Sequence, residues 1–206
     1  MSSGKVLAGA RRDGGGPVRL VVATGNPGKV EELRTLLKAA PVEIFPLDLG
    51  VEETGTTYEE NARLKAEAAA GVTGFPAIGD DSGIEVEALG GFPGVHSARI
   101  APTQPERTAE VLRRLAGHPR PWRARFVCAL ALYRAGEVRV FQADRHGEVV
   151  PEPRGGGGFG YDPVFLVPEA GLTFAEMPPG QKDRWSHRAG AVRKLLESGE
   201  LGRLGA

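Results

Sequence analysis

Neither sign of charge is in excess in this chain of 206 residues: Lys and Arg number 26, and so do Asp and Glu. A protein that grips nucleic acid through its phosphates needs a basic surplus, so the balance argues against a nucleic-acid partner. Cysteine is almost absent. The single Cys128 excludes an internal disulfide, and its setting, FVCALAL, suits a small buried thiol. No apolar run reaches the ~18–20 residues of a membrane span. The first seventeen residues, MSSGKVLAGARRDGGGP, lack the apolar stretch of a secretory signal. They are expected to be a disordered tail, 1–17, ahead of a single folded domain, 18–206. Together these absences suit a soluble protein of the reducing cytoplasm, with no membrane partner.

What is present reads as alternating strands and helices. VRLVVAT (18–24) is a β-branched run followed by the turn GNPGK (25–29). Val30, Leu33, Leu36 and Leu37 then recur at helical spacing. VEIFPLDL (42–49) reads as a second strand. Thr57 and Glu60 fit a capping box that opens the Ala-rich helix YEENARLKAEAAA. Phe75–Ile78 leads into GDDSG, and IEVEAL (84–89) alternates. Thr103 and Glu106 start another helix, with Val111, Leu112 and Leu115 on its apolar face. ARFVCALALYRA (124–135) reads as a central strand, paired with EVRVFQAD (137–144) across Ala135-Gly136. VFLV is a later strand. Ser186 caps a last helix that turns Ala189, Val192, Leu195 and Leu196 to one side. The mixture predicts an α/β fold with a mixed sheet, without internal repeats or a dividing linker.

Five segments have the residue types for chemistry. TGNPGK (24–29) joins strand to helix and ends in Lys29. It suits a phosphate, because a helix N-terminus and its N–H groups attract anions. It is not a P-loop, since Ala23 and Val30 break that pattern, and a plain turn remains the alternative. Asn61 and Lys65 stand four apart and share a helix face, solvated unless something recruits them. GGGGFG (155–160) matches a dinucleotide fingerprint in letters but lacks the strand before and the helix after it. It is either a flexible loop or a loop presenting Phe159 and Tyr161 to a flat ligand. GQKDRWSHR (180–188) gathers cations ahead of the last helix, against the macrodipole, which an anion would relieve.

GDDSG (79–83) allows three readings. It can be a tight turn. It can be a structural ion pair with a nearby Arg. Or one carboxylate holds a divalent cation and activates water while the other supports it, with Glu52 or Glu53 as a second ligand. Three lysine-bearing segments suited to phosphates favour the last.

In order, TGNPGK, EETG, ENARLKA, DDSG with LGGFPGVHSAR, GGFGYDP and K-x-x-x-SHR resemble the inosine triphosphate pyrophosphatase family. The resemblance runs from about Val18 to about Leu196. It implies two α/β lobes around a long curved mixed β-sheet flanked by helices, a substrate cleft between the lobes, and a homodimer. It implies magnesium-dependent hydrolysis of ITP, dITP or XTP between the α and β phosphates, which cleanses the nucleotide pool. Other modified nucleotides as substrates, or a nucleotide sensor without turnover, are the alternatives.

Carried over residue by residue, Thr24, Gly25, Asn26, Pro27, Gly28 and Lys29 would cradle the triphosphate, and Asn61 and Lys65 would face it. Glu52 would bind magnesium. Asp81 would be the catalytic base and a metal ligand, with Ser82 touching substrate. Phe159, Gly160, Tyr161 and Asp162 would line the nucleoside pocket, and Lys182, His187 and Arg188 would contact the substrate and its base. The family usually reads SHRG; here Ala189 follows Arg188 and Gly190 comes one place later.

Overall fold

The computed structural model describes residues 16–178 and 180–204. Most of the expected tail, residues 1–15, therefore lies outside the described residues. The elements, in order, are β1 (Val18–Ala23), α1 (Pro27–Leu36), β2 (Val42–Leu47), α2 (Tyr58–Thr73), β3 (Ala77–Val86), α3 (Gln104–Leu115), β4 (Trp122–Arg134), β5 (Glu137–Val149), β6 (Phe165–Val167), β7 (Leu172–Thr173), α4 (Lys182–Trp185) and α5 (His187–Glu197). The strands form one sheet in the order β2-β1-β3-β4-β5-β6-β7. It is mixed: β1 runs parallel to β2 and β3, whereas β5-β6 and β6-β7 are antiparallel. β4 and β5 join through Ala135 and Gly136, both at positive φ, the backbone that a two-residue hairpin requires.

The described chain divides into two compact units. One holds the residues up to Asp81, Ala129–Gln142 and those from Ala191 onward; the other holds Ser82–Cys128 and Ala143–Gly190. In the first, β1 pairs with β2 on one side and β3 on the other. The crossovers through α1 and α2 run in opposite directions, so the right-handed rule puts the two helices on opposite faces. The α2 face is made of small residues: Ala62, Ala66 and Ala69 are fully buried. That lets the helix lie close to β3, and Gly79 takes the closest approach. A Cβ there would stand 2.0 Å from the Ala62 carbonyl oxygen. The second unit packs Ile84, Val111, Leu115, Phe126, Phe165 and Phe174 into its core.

The capping boxes form as expected, Thr57 with Glu60 and Thr103 with Glu106. Ser186 caps the last helix, its Oγ accepting from the Ala189 N–H at 3.1 Å. Cys128 is buried. Four expectations change. GDDSG is not a turn: it lies inside the ten-residue strand β3. Its aspartates are held by lysines, which removes the reason to expose them. Of the alternating stretch 84–89, only 84–86 end that same strand; Glu87–Leu89 turn into a short 3-10 helix. β5 reaches Val149, because its alternating exposure continues through RHGEV. Leu36 and Leu112 are only half-buried and Leu196 is exposed, so the apolar faces of their helices are narrower than the spacing suggests.

Candidate active site

The first unit gathers two acids and two lysines at Asp80–Asp81. Successive side chains in a strand point to opposite faces. Asp80 therefore meets α1 and Asp81 meets α2. Lys29 Nζ lies 2.7 Å from Asp80 Oδ1. Lys65 Nζ lies 2.9 Å from Asp81 Oδ1, and the Asn61 amide donates to Asp81 Oδ2 at 3.3 Å. The i, i+4 pair on α2 thus grips both oxygens of one carboxylate. Glu53 forms a second ion pair with Lys65. Asp80 is fully buried and Asp81 is 4% exposed.

Burial pushes the Asp81 carboxyl above the ordinary carboxylate range; Lys65 and Lys29 pull it down without cancelling the rise, and Glu53 adds to it. Burial alone would lower the Lys65 ammonium, yet Asp81 and Glu53 outweigh it and hold it above its usual value. The pair is thus a carboxyl made more basic by burial beside a lysine held in its charged form.

The TGNPGK loop differs from an open cradle of amides. The Asn26 side chain caps α1 and accepts from the N–H groups of Gly28 and Lys29 at 2.9 and 3.3 Å. The Asn26 N–H donates to Thr24 Oγ1, and the Thr24 N–H reaches the Leu47 carbonyl. Pro27 has no N–H to give. Gly25 is pressed against Asp48, whose Oδ2 would be 2.1 Å from a Cβ there. An anion at this helix end would have to displace Asn26, so Lys29 is the loop's main electrostatic asset.

Magnesium takes one or two carboxylates and completes its shell with water and substrate phosphates. Among the described residues no three His, Cys, Asp or Glu form a metal cage. Asp81 fits that sparse mode: it is a hard oxygen donor whose charged form two lysines only partly support. Glu52 is exposed, and the structure brings its neighbour Glu53, not Glu52, to Lys65.

The second unit carries the other predicted residues. Arg188, 1% exposed, donates to Ser82 Oγ at 2.9 Å. Asp162 is buried, and its Oδ2 accepts from the Phe159 N–H at 2.8 Å and from Lys182 Nζ at 2.5 Å. Its carboxylate therefore holds the glycine-rich loop and a lysine together. Lys182 stands 4.9 Å from the Phe159 ring centre, and the Arg188 guanidinium 5.7 Å. Gly160 is half-buried beside Phe159. The Tyr161 hydroxyl donates to the Ser97 carbonyl at 2.8 Å, and burial pushes its pKa up. His187 stacks on Phe126, centroids 4.6 Å apart and planes 6° off parallel. After Arg188, Ala189 is buried, and it is Gly190 whose added Cβ would press on Ala143 at 2.9 Å. The close contact thus falls on the position where this chain has its glycine.

Sequence reasoning missed Asp80 as the partner of Lys29, and it missed Phe126 and Ser97. Phe126 sits in an apolar run whose letters say only core. Ser97 lies in GVHSAR, a segment quoted for resemblance and given no role.

The Ham1 family model matches residues 20–198. A dITP/XTP pyrophosphatase of Gloeobacter violaceus is 53% identical over 180 residues, covering 86% of this chain and 92% of that one. One from Thermus thermophilus is 48% identical over 195 residues, covering 88% and 91%. Among solved structures, a HAM1 protein from Coxiella burnetii has a TM-score of 0.76 at 38% identity, covering 88% of this chain and 98% of that one. The Staphylococcus aureus Ham1 protein gives 0.75 at 36%, covering 88% and 99%. With a model that spans nearly the whole described chain and relatives at about half identity, this chain belongs to the Ham1 family.

Proposed function

We infer that this chain is a nucleoside triphosphate pyrophosphatase that hydrolyses deaminated purine nucleotides, ITP, dITP and XTP, to the monophosphate and pyrophosphate. Its role is to remove such bases from the nucleotide pool. One observation carries the reading: Asp81, a buried carboxyl, is held by Lys65 at 2.9 Å and Asn61 at 3.3 Å, with Lys29 on the adjoining aspartate.

Hydrolysis at the α phosphate needs a base, charge for the departing pyrophosphate and a fixed geometry. Asp81 is the proposed base. Burial keeps it more basic than an exposed carboxylate, and Asn61 and Lys65 fix its two oxygens. It takes a proton from water as the water oxygen bonds to the α phosphorus and the bridge to the β phosphate breaks. Lys29 and Lys65 are already ordered, so triphosphate oxygens exchange with carboxylate partners at small entropic cost. Asp81 and Glu52 are the proposed holders of magnesium, with Glu53 close by. When bound, the ion supplies further positive charge for the leaving group.

The base is assigned to the Phe159 loop with Lys182, His187 and Arg188. Phe159 offers a flat ring for stacking, and Arg188 offers a donor for a 6-oxo group. Ser82 is assigned to holding Arg188 as well as to touching substrate. A homodimer and a cytoplasmic setting are part of the proposal, supported by the family resemblance and by the single buried thiol. Among the described residues no helix is long and apolar enough to cross a membrane.

The test is product analysis with purified protein, magnesium, and ITP, XTP, GTP or ATP in separate reactions. Monophosphate plus pyrophosphate from ITP and XTP, with little from ATP, is expected. Diphosphate plus phosphate would mean attack at the γ phosphate and would overturn the assignment.

A further inference from the structure

Three phenylalanines lie beneath two of the residues assigned to the base. Phe126 of β4 and Phe165 of β6 are 4.5 Å apart at their centroids, Phe165 and Phe174 are 5.2 Å apart, and Phe126 and Phe174 are 5.9 Å apart. All three are nearly or fully buried. On this floor His187 lies flat over Phe126, 6° from parallel, and Lys182 stands 5.4 Å from the centre of Phe174. Phe126 thus has neighbours of two kinds: the phenylalanines of the core and the imidazole of His187.

We propose that Phe126 is a positioning residue for base selection: its ring fixes the plane of the His187 imidazole, and so sets where that ring's nitrogens meet the purine edge. The inference rests on the function proposed above and names a determinant within it. Ring planes matter because hydrogen bonding at an imidazole nitrogen lies in the plane of the ring. Stacked aromatic pairs prefer offset arrangements such as this, and they are worth more than their buried area alone. A branched aliphatic in place of Phe126 would fill similar volume but offer no flat face. His187 would then be free to tilt about its χ2 torsion, which is soft. Phe126 itself need not touch the nucleotide.

The test compares Phe126→Leu, Phe126→Met and Phe126→Tyr in the whole protein, in the wild-type and the His187→Ala backgrounds. Turnover of ITP and ATP is measured for each, with calorimetric binding of inosine monophosphate as a second readout and circular dichroism as the check of folding. The ratio of kcat/KM for ITP over ATP is expected to fall roughly three- to tenfold in the Leu and Met variants. Phe126→Tyr, which keeps the ring, is expected to hold the ratio near wild type. In the His187→Ala background, Phe126→Leu is expected to change the ratio no further, because its effect runs through His187. A general packing defect would instead lower both substrates alike in either background. An unchanged ratio in whichever of Leu or Met folds, or an equal fall without His187, overturns the inference and leaves the proposed function standing. A wild-type protein that splits none of the triphosphates overturns both.

Discussion

Lys29 and Lys65, carried by different helices, converge on one main-chain oxygen: their Nζ atoms lie 3.3 and 3.1 Å from the Asp80 carbonyl. The register explains the meeting point. β3 pairs with β1 only as far as Gly79, so one residue later its backbone is released from that neighbour. A carbonyl lies in the plane of the sheet and is reached from both faces, whereas the two aspartate side chains are not. Adjacent carboxylates coexist here because each takes its own lysine and the lysines share the backbone between them.

Both lysines are therefore expected to matter for rate. Removing one preorganised charged group from such a site costs about 10²–10³ in turnover. Lys29→Met and Lys65→Met should each lower kcat for ITP on that scale, and circular dichroism should show intact folds. Asp81→Asn should fall further, by at least the 10²–10⁴ typical of a lost general base. Wild-type turnover in Asp81→Asn would remove Asp81 from the mechanism.

Asp81 also has a readable titration. In metal-free protein its carboxyl faces Lys65, Lys29, Asn61 and Glu53, and burial raises its pKa above 3.8. Carbon NMR of the Asp81 carboxyl should give a midpoint above that value. Lys65→Gln removes the largest opposing influence and should move the midpoint higher still. The linkage sign follows from proton counts. Between the ordinary and the raised pKa the folded chain holds a proton that the unfolded chain has lost. The contribution to stability is therefore full at low pH and declines as pH rises through that window. A midpoint at or below 3.8 would show that the lysines dominate over burial.

Gly79 sets the spacing on which this pairing depends. A Cβ would meet the Ala62 carbonyl oxygen at 2.0 Å and the Ala66 nitrogen at 2.8 Å, both backbone atoms of α2. Backbone cannot rotate aside, so Gly79→Ala should push α2 away from β3. Overpacking of this kind costs about 1–3 kcal/mol. The same displacement would draw Asn61 and Lys65 off Asp81, so turnover should fall more than stability predicts. Thermal unfolding and kcat measured on the same sample check both. Unchanged turnover would mean that the helix is not what places Lys65.

Much of this was legible from the sequence, for identifiable reasons. Thr57 with Glu60 and Thr103 with Glu106 are local signals, and local signals need no tertiary information. Asn61 and Lys65 announced a shared face through their spacing. Of the readings of GDDSG, the turn is the one that fails, although Gly, Asp and Ser favour turns on their own. Only the lysines of two distant helices make an extended backbone tolerable there, and distance along the chain hides them. The side-chain cap that Asn26 makes on α1 was not read from TGNPGK, whose letters show only a strand-to-helix turn ending in lysine. The part played by Phe126 was invisible, since a core phenylalanine and a phenylalanine under a histidine are spelled alike.

Base selection gives the last prediction. Hypoxanthine and xanthine present an acceptor at position 6, and adenine presents a donor there. The Arg188 guanidinium is nearly fully buried and oriented by Ser82 Oγ at 2.9 Å, so it has little freedom to turn away from a wrong base. With ATP, donor would face donor, and a buried unpaired group costs ~1–3 kcal/mol. That corresponds to roughly a ten- to hundredfold preference for ITP. Arg188→Met should erase most of this preference, chiefly by lowering kcat/KM for ITP. GTP shares the 6-oxo edge, so its rate should fall in parallel with ITP while that for ATP changes little. Ser82→Ala leaves the guanidinium present but less fixed, and should narrow the ratio by a smaller factor. If Arg188→Met lowers ITP, GTP and ATP by the same factor, Arg188 acts on a feature common to all three, and the 6-oxo contact belongs to another group.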